Sequence, residues 1–173
     1  MEDYVLIKKS KETQEFAQKL GFSKVFFSED FVLLKEKSKK ELLKRIQEAN
    51  QRKLKTIYVP ESEEMLRFVL EKSPVDAVCG VELIHPKDSF HFVRGGLDQV
   101  LCSIAADKNK TILFSFADVL NSSERGKLLA RMVFNVKLCR KYKVRMQLVS
   151  FASSELEMRS AKDLEAFGRI LGM

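Results

Sequence analysis

Short apolar runs alternate with longer stretches of helical periodicity along the whole chain, and this alternation restricts the fold more than any other feature. The runs at Tyr4–Ile7, Val25–Phe27, Phe31–Leu34, Thr56–Val59, Ala77–Cys79, Thr111–Phe116 and Met146–Val149 have the length and composition of strands. Thr111–Phe116 is nearly all apolar, as a strand covered on both faces requires. Between the runs, the spacing predicts helices. One passes through Phe16, Ala17 and Leu20 and closes at Gly21; another starts from a capping box at Ser38 and Glu41 and buries Leu42, Leu43, Ile46 and Ala49. A third opens at Ser62 over Met65, Leu66, Val69 and Leu70, and a fourth follows Gly95-Gly96 with Leu97, Val100, Leu101 and Ile104 inward. The longest runs from about Ser123 to Tyr142, and the last is capped by Ser160 with Asp163. Strands separated by helices pair in parallel, which leaves a doubly wound sheet or a barrel. No repeat, low-complexity tract or linker interrupts the pattern, so residues 1–173 read as a single domain.

Charge is distributed unevenly over this frame. The formal net charge is +7, and the segment from Arg125 to Ser154 holds eight basic side chains and no carboxylate. A surface that is merely solvated mixes both signs, so an acid-free stretch of this length points to a polyanion such as nucleic acid. On the long helix, Leu128, Leu129, Met132, Val133, Val136 and Cys139 form the inward stripe, which sends Lys127, Arg131, Arg140 and Lys141 to the flanks or the exposed side. Lys137, Arg140 and Lys141 also suit the negative end of the helix dipole, an alternative reason for their presence. Lys143 and Arg145 lie beyond the helix, where that reason does not apply. Tyr142 is the one aromatic in the run of cations from Arg140 to Arg145, so base stacking has little support. Cys79, Cys102 and Cys139 form no C-x-x-C pair, and no apolar run has the ~20 residues of a membrane span. The acidic Met1-Glu2-Asp3 start lacks the layout of a secretory signal. Reduced thiols in a cytoplasmic protein are the expectation.

The second half resembles a known family. The run Val93-Arg94-Gly95-Gly96-Leu97-Asp98-Gln99-Val100-Leu101 followed by Ala105-Ala106-Asp107-Lys108 looks like the central motif of ribonuclease P protein component 3, the archaeal relative of the thirty-kilodalton eukaryotic subunit. The likeness continues through Ile112–Phe116, Leu128-Leu129-Ala130-Arg131-Met132, Leu138-Cys139-Arg140-Lys141-Tyr142 and Ser150-Phe151-Ala152-Ser153-Ser154. It ends with Met158-Arg159-Ser160-Ala161-Lys162-Asp163-Leu164 and Gly168 to Met173. The first half matches in element order only. Phe151 stands where the family often has glycine and Ala161 where it often has proline, and the chain is short for the family.

The resemblance implies an α/β, TIM-barrel-like (β/α) barrel of mostly parallel strands, incomplete or distorted. It also implies a subunit of the ribonucleoprotein that removes the 5′ leader from precursor tRNA. In that assembly the ribonuclease P RNA carries the catalytic centre and its Mg²⁺ ions, and the protein is not itself catalytic. The implied partners are that RNA, precursor tRNA, a ferredoxin-like protein component 2 in a 2:2 heterotetramer, and other ribonuclease P proteins, with no membrane. Carried onto matching positions, Arg94, Lys108, Arg131, Arg140, Lys141 and Arg159 become candidate RNA contacts, to which charge alone adds Lys110, Lys143 and Arg145.

Other chemistries compete for a few residues. Gly95-Gly96 ahead of a helix can present N–H groups to an anion, although Asp98 in the first turn opposes one. His85, His91, Glu82 and Asp88 are the one imaginable metal cluster, too sparse for a catalytic barrel site. Ser150, Ser153 and Ser154 follow a strand but lack a base in view. Phe114 and Phe116 suit the core, while Phe90 and Phe92 sit in a charged loop. The alternatives to an RNA-assembly subunit are a stand-alone metal-dependent barrel phosphoesterase, which would turn over without RNA, and a scaffold whose basic face serves only solubility.

Overall fold

The computed structural model describes residues 1–173 and places seven strands and seven α-helices in alternation, except that β2 is followed directly by β3 and α5 by α6. The elements are β1 Glu2–Tyr4, α1 Lys11–Lys19, β2 Lys24–Phe26, β3 Phe31–Leu34, α2 Lys39–Gln51, β4 Lys55–Tyr58, α3 Glu63–Lys72 and β5 Ala77–Cys79. They continue with α4 Gln99–Asp107, β6 Thr111–Ser115, α5 Phe116–Asn121, α6 Arg125–Lys141, β7 Arg145–Val149 and α7 Ala161–Leu171. One sheet runs β3-β4-β5-β6-β7, all parallel, and β1 pairs in parallel with β2.

Backbone bonds join the two sheets at one seam. The Phe151 N–H donates to the Tyr4 carbonyl at 2.9 Å and the Leu6 N–H to the Ala152 carbonyl at 2.8 Å, so β1 runs beside the end of β7. The Asp3 carboxylate, fully buried, accepts from the Ser150 N–H at 2.6 Å and from the Ser150 hydroxyl across the same seam. Between β2 and β3 the ladder is open, because the four residues Phe27–Asp30 stand where a helix would. The architecture is therefore a TIM-barrel-like α/β fold left incomplete at one place, and the doubly wound alternative is excluded.

A small aromatic-rich core fills the interior of this barrel. Tyr4, Phe26, Phe31, Ile57, Ala77, Cys79, Leu113, Val149 and Phe151 form one buried cluster drawn from all the strands and the residue just past β7. Tyr4 stacks on Phe26 at 4.6 Å and meets Phe31 edge-on at 5.4 Å, so aromatic rings span the open seam that hydrogen bonds leave. A larger cluster between strands and helices makes the outer layer. No helix is long and apolar enough to cross a membrane.

Several local expectations shift. The first strand is Glu2–Tyr4 rather than Tyr4–Ile7, because pairing to Lys24–Phe26 sets its start. Ser38 precedes α2 without a side-chain cap bond, and Leu43 is exposed. Asp98, expected in the first turn, is the N-cap of α4, and Val100, expected inward, faces out. Phe116 is helical rather than a strand end: the Ser115 hydroxyl accepts from the Asp118 N–H and starts α5.

Candidate nucleic-acid interface

Helices in a barrel of this kind end where the next strands begin, so the helix-to-strand turns gather at one mouth. Three of these turns have the same shape. The Leu54 N–H donates to Ala49, the Lys110 N–H to Ala105 and the Val144 N–H to Cys139, each closing the last helical turn. Each holds a left-handed residue just past the helix: Lys53 at φ 58, Asn109 at φ 52 and Lys143 at φ 57. Sequence and turn geometry thus put cations at the mouth from every side. Lys55, Lys108 and Arg145 line a cleft of about 380 Å³ there, together with Glu2, Asp76 and Gln147. Lys24 and Lys55 both stand over the Phe26 ring, at 4.4 and 5.4 Å.

The salt bridges of basic side chains lie elsewhere, on Lys11, Lys37, Lys39, Arg45, Arg67, His85, Lys127 and Arg131. Lys24, Lys53, Lys55, Lys108, Lys141, Lys143 and Arg145 take no part in them. Glu2 and Asp76 are the acids of the cleft, and one oxygen of Asp76 is already shared by the N–H and hydroxyl of Thr56, both at 2.8 Å. The mouth therefore presents positive charge that is not held in salt bridges around a concave polar floor. Such a surface binds anions whose charges are spaced along a chain.

The structure brings together Lys108, Lys143 and Arg145, with Arg140 and Lys141 beside them on the last turn of α6. Arg140 also donates to the Gly172 carbonyl at 2.9 Å. Two candidates are corrected. Arg131 is 3% exposed: its Nε meets Asp88 at 2.8 Å, and one terminal nitrogen donates to the Glu82 and His85 carbonyls at 2.9 and 2.7 Å. The helix is buried over a wider arc than its apolar stripe, and Arg131 and Asn135 lie within that arc. Lys110 is buried, and its ammonium donates to the Ser73 and Val75 carbonyls, both at 2.7 Å; burial lowers its pKa. Both cations serve the fold: Arg131 is enclosed, and Lys110, although its residue lines the cleft, spends its ammonium on two backbone carbonyls.

Two candidates lie apart. Arg159 donates to the Leu156 and Met158 carbonyls and stands 5.8 Å from Phe116, at the far end of β6 from Lys108. Arg94 is exposed in the largest cleft, of about 710 Å³, beside Arg67, His85, Phe92 and Phe134. Its backbone N–H donates to Asp88 at 2.8 Å, a bond that holds the Asp88 carboxyl below its ordinary range. Gly95 and Gly96 are explained by packing. A side chain at Gly95 would collide with Asn135 and Phe134, and one at Gly96, where φ is 87°, with the Val81 carbonyl. Asp98 accepts the Leu101 N–H at 2.7 Å and fills the end of α4 that an anion would use.

The other chemistries find no assembly. His85 contacts Glu63 at 2.8 Å, His91 packs edge-on to Phe90, and no three His, Cys, Asp or Glu side chains stand close enough to hold a metal ion. Ser150 is spent on Asp3, and Ser153 donates to Glu157 at 2.7 Å. Phe114 is in the core as expected, Phe116 packs on Phe167 at 5.1 Å, and Phe90 and Phe92 are exposed. Sequence reasoning did not single out Lys24, Lys53 and Lys55, because they are few and scattered beside the long acid-free stretch of the second half. The signal available was positional: basic residues stand at the helix-to-strand turns before β2, β4, β6 and β7.

No family model matches the chain. It is 32% identical over 131 residues to the ribonuclease P protein component 3 of Thermococcus kodakarensis, covering 74% of this chain and 56% of that protein. The proteins of the same name from Methanosarcina mazei and Methanosarcina acetivorans are 33% and 35% identical over 114 and 115 residues, in each case 65% of this chain and 44% of the relative. The chain thus spans about half the length of the curated relatives it matches. A chain in a cryo-EM structure of an archaeal ribonuclease P with mature tRNA has the same fold, with a TM-score of 0.74 over 98% of this chain and 72% of that one, at 22% identity.

Proposed function

From a chain related in sequence to ribonuclease P protein component 3, we propose a protein subunit of the ribonucleoprotein that cleaves the 5′ leader from precursor tRNA. The likeness to three curated proteins of that name carries the reading. The unpaired cations of the turn mouth support it physically. Lys108, Arg140, Lys141, Lys143 and Arg145 would neutralise closely spaced phosphates and hold the RNA in its working geometry, with Arg94 and Arg159 as outlying contacts. Bond breaking would belong to the RNA and its Mg²⁺; the residues of this chain form no ligand set that fits a metal ion. A ferredoxin-like component 2 in a 2:2 assembly, precursor tRNA, other ribonuclease P proteins and a cytoplasmic setting complete the proposal. The sparse histidines and carboxylates give a stand-alone phosphoesterase no comparable support.

Reconstitution tests this. Ribonuclease P RNA alone, with this chain, with component 2 and with both is scored for 5′-leader removal. The expected result is cleavage that requires the RNA and rises when both proteins are present. Leader removal by the isolated chain would overturn the assignment.

A further inference from the structure

We propose that the helix-to-strand mouth of the barrel is a phosphate cradle for an RNA backbone, and that Lys53 and Lys143 are held in left-handed backbone to furnish it. The inference takes from the proposed function only that the partner is RNA. It starts from a comparison within the chain. Five helix ends close with the same pair of turns, and two of them have glycine at the left-handed position, Gly21 at φ 84 and Gly172 at φ 93. Glycine enters that conformation without a steric penalty, whereas any residue with a Cβ is disfavoured there. Lysine therefore gives nothing to the turn at positions 53 and 143. What it adds is an ammonium group projecting from the rim of the mouth.

The two lysines flank a surface already built for anions. Lys55 and Arg145 follow them by two residues and line the polar cleft with Lys108, while Lys24 shares the Phe26 ring with Lys55. The cations come from the turns before β4, β6 and β7 and from β2, so they lie around the cleft instead of marking a line on one helix. They form no salt bridges, and of the two cleft acids Asp76 is tied to Thr56. A single small anion would need one tight nest of donors. A ring of separate cations fits a chain of phosphates. The opposite mouth, around Lys35, Asp118 and Glu157, mixes signs and lacks this arrangement.

The test is binding of the full chain to oligouridylate and to an unmodified tRNA transcript, followed by fluorescence anisotropy across a salt series. The double variant Lys53→Gly/Lys143→Gly is expected to melt no lower than the parent and to bind with a shallower log–log salt dependence, by about 0.7–0.9 for each lost contact. Lys9→Gln/Lys35→Gln, away from the mouth, is expected to keep the parental slope. If the glycine variant melts lower, Lys53→Asn/Lys143→Asn replaces it, since Asn109 shows that asparagine accepts the same backbone. An unchanged slope in the mouth variant, or an equal loss in the control, overturns the cradle. A slope that falls as expected while leader removal proves independent of this chain leaves the cradle standing and removes the ribonuclease P assignment. The reverse pattern removes the cradle alone.

Discussion

Glu82 and Arg131 meet under α6, where the Arg131 guanidinium donates to the Glu82 carbonyl. Glu82 is fully buried, neither carboxylate oxygen has a partner, and burial pushes its pKa to about 8. Its folded value lies above the ordinary 4.5, so its contribution to stability is complete below pH 4.5 and is lost as pH rises through 8. Asp3 acts in the same sense, raised to about 6 by burial despite its bonds to Ser150. Stability measured by denaturant titration should fall from pH 5 to 9 (about 5 and 9 being chosen to bracket the shift), and Glu82→Gln should flatten the upper part of that fall. A parallel decline in the variant would show that Glu82 is not responsible. Arg131 is held in place by Asp88 and two carbonyls. Arg131→Ala should lower stability by about 3 kcal/mol, since the loop from His85 to Asp98 loses its anchor. RNA binding by whatever remains folded should keep its salt slope. A change in that slope with unaltered stability would return Arg131 to the surface.

At the scale of elements, the turns carry the chemistry and the helices set their positions. Replacing Lys143 by glycine should raise stability by about 1 kcal/mol, read as a higher unfolding midpoint, because the left-handed backbone no longer carries a Cβ. A lower midpoint would mean that the lysine packs against the mouth. Phe151 presents the same conformation, φ 45, but its ring is part of the barrel interior. The Ala161 N–H donates to the Leu20 carbonyl at 2.9 Å, a bond that a proline at this first helical position would delete. Strand and helix order was legible because periodicity reports which face is buried, and it does so for Leu128, Met132, Val136 and Cys139. It could not foretell that Arg131 and Asn135 would be enclosed, since that depends on a loop from a distant part of the chain. Lys110 misled for the same reason: its partners at Ser73 and Val75 are more than thirty residues away.

The molecule as a whole differs in charge between its mouths, with Lys55, Lys108, Lys110 and Arg145 beside Glu2 and Asp76 at one, and Lys35, Asp118 and Glu157 at the other. The acid-free stretch from Arg125 to Ser154 identified part of the cationic end, but only the closing of the strands brings Lys24, Lys53 and Lys55 to the same place. The family likeness was readable from motifs in the second half, and so was the direct passage from β2 to β3, since only three residues separate the apolar runs Val25–Phe27 and Phe31–Leu34; that the two strands do not pair appears only in the fold. The bond between Asp3 and Ser150, 147 residues apart, has a temporal meaning as well. A ring whose first and last staves lie that far apart cannot be completed until nearly the entire polypeptide has collapsed around it. Closure is then a late event in folding, and a nascent chain still lacking β7 leaves the polar edge of β1 without its final neighbour.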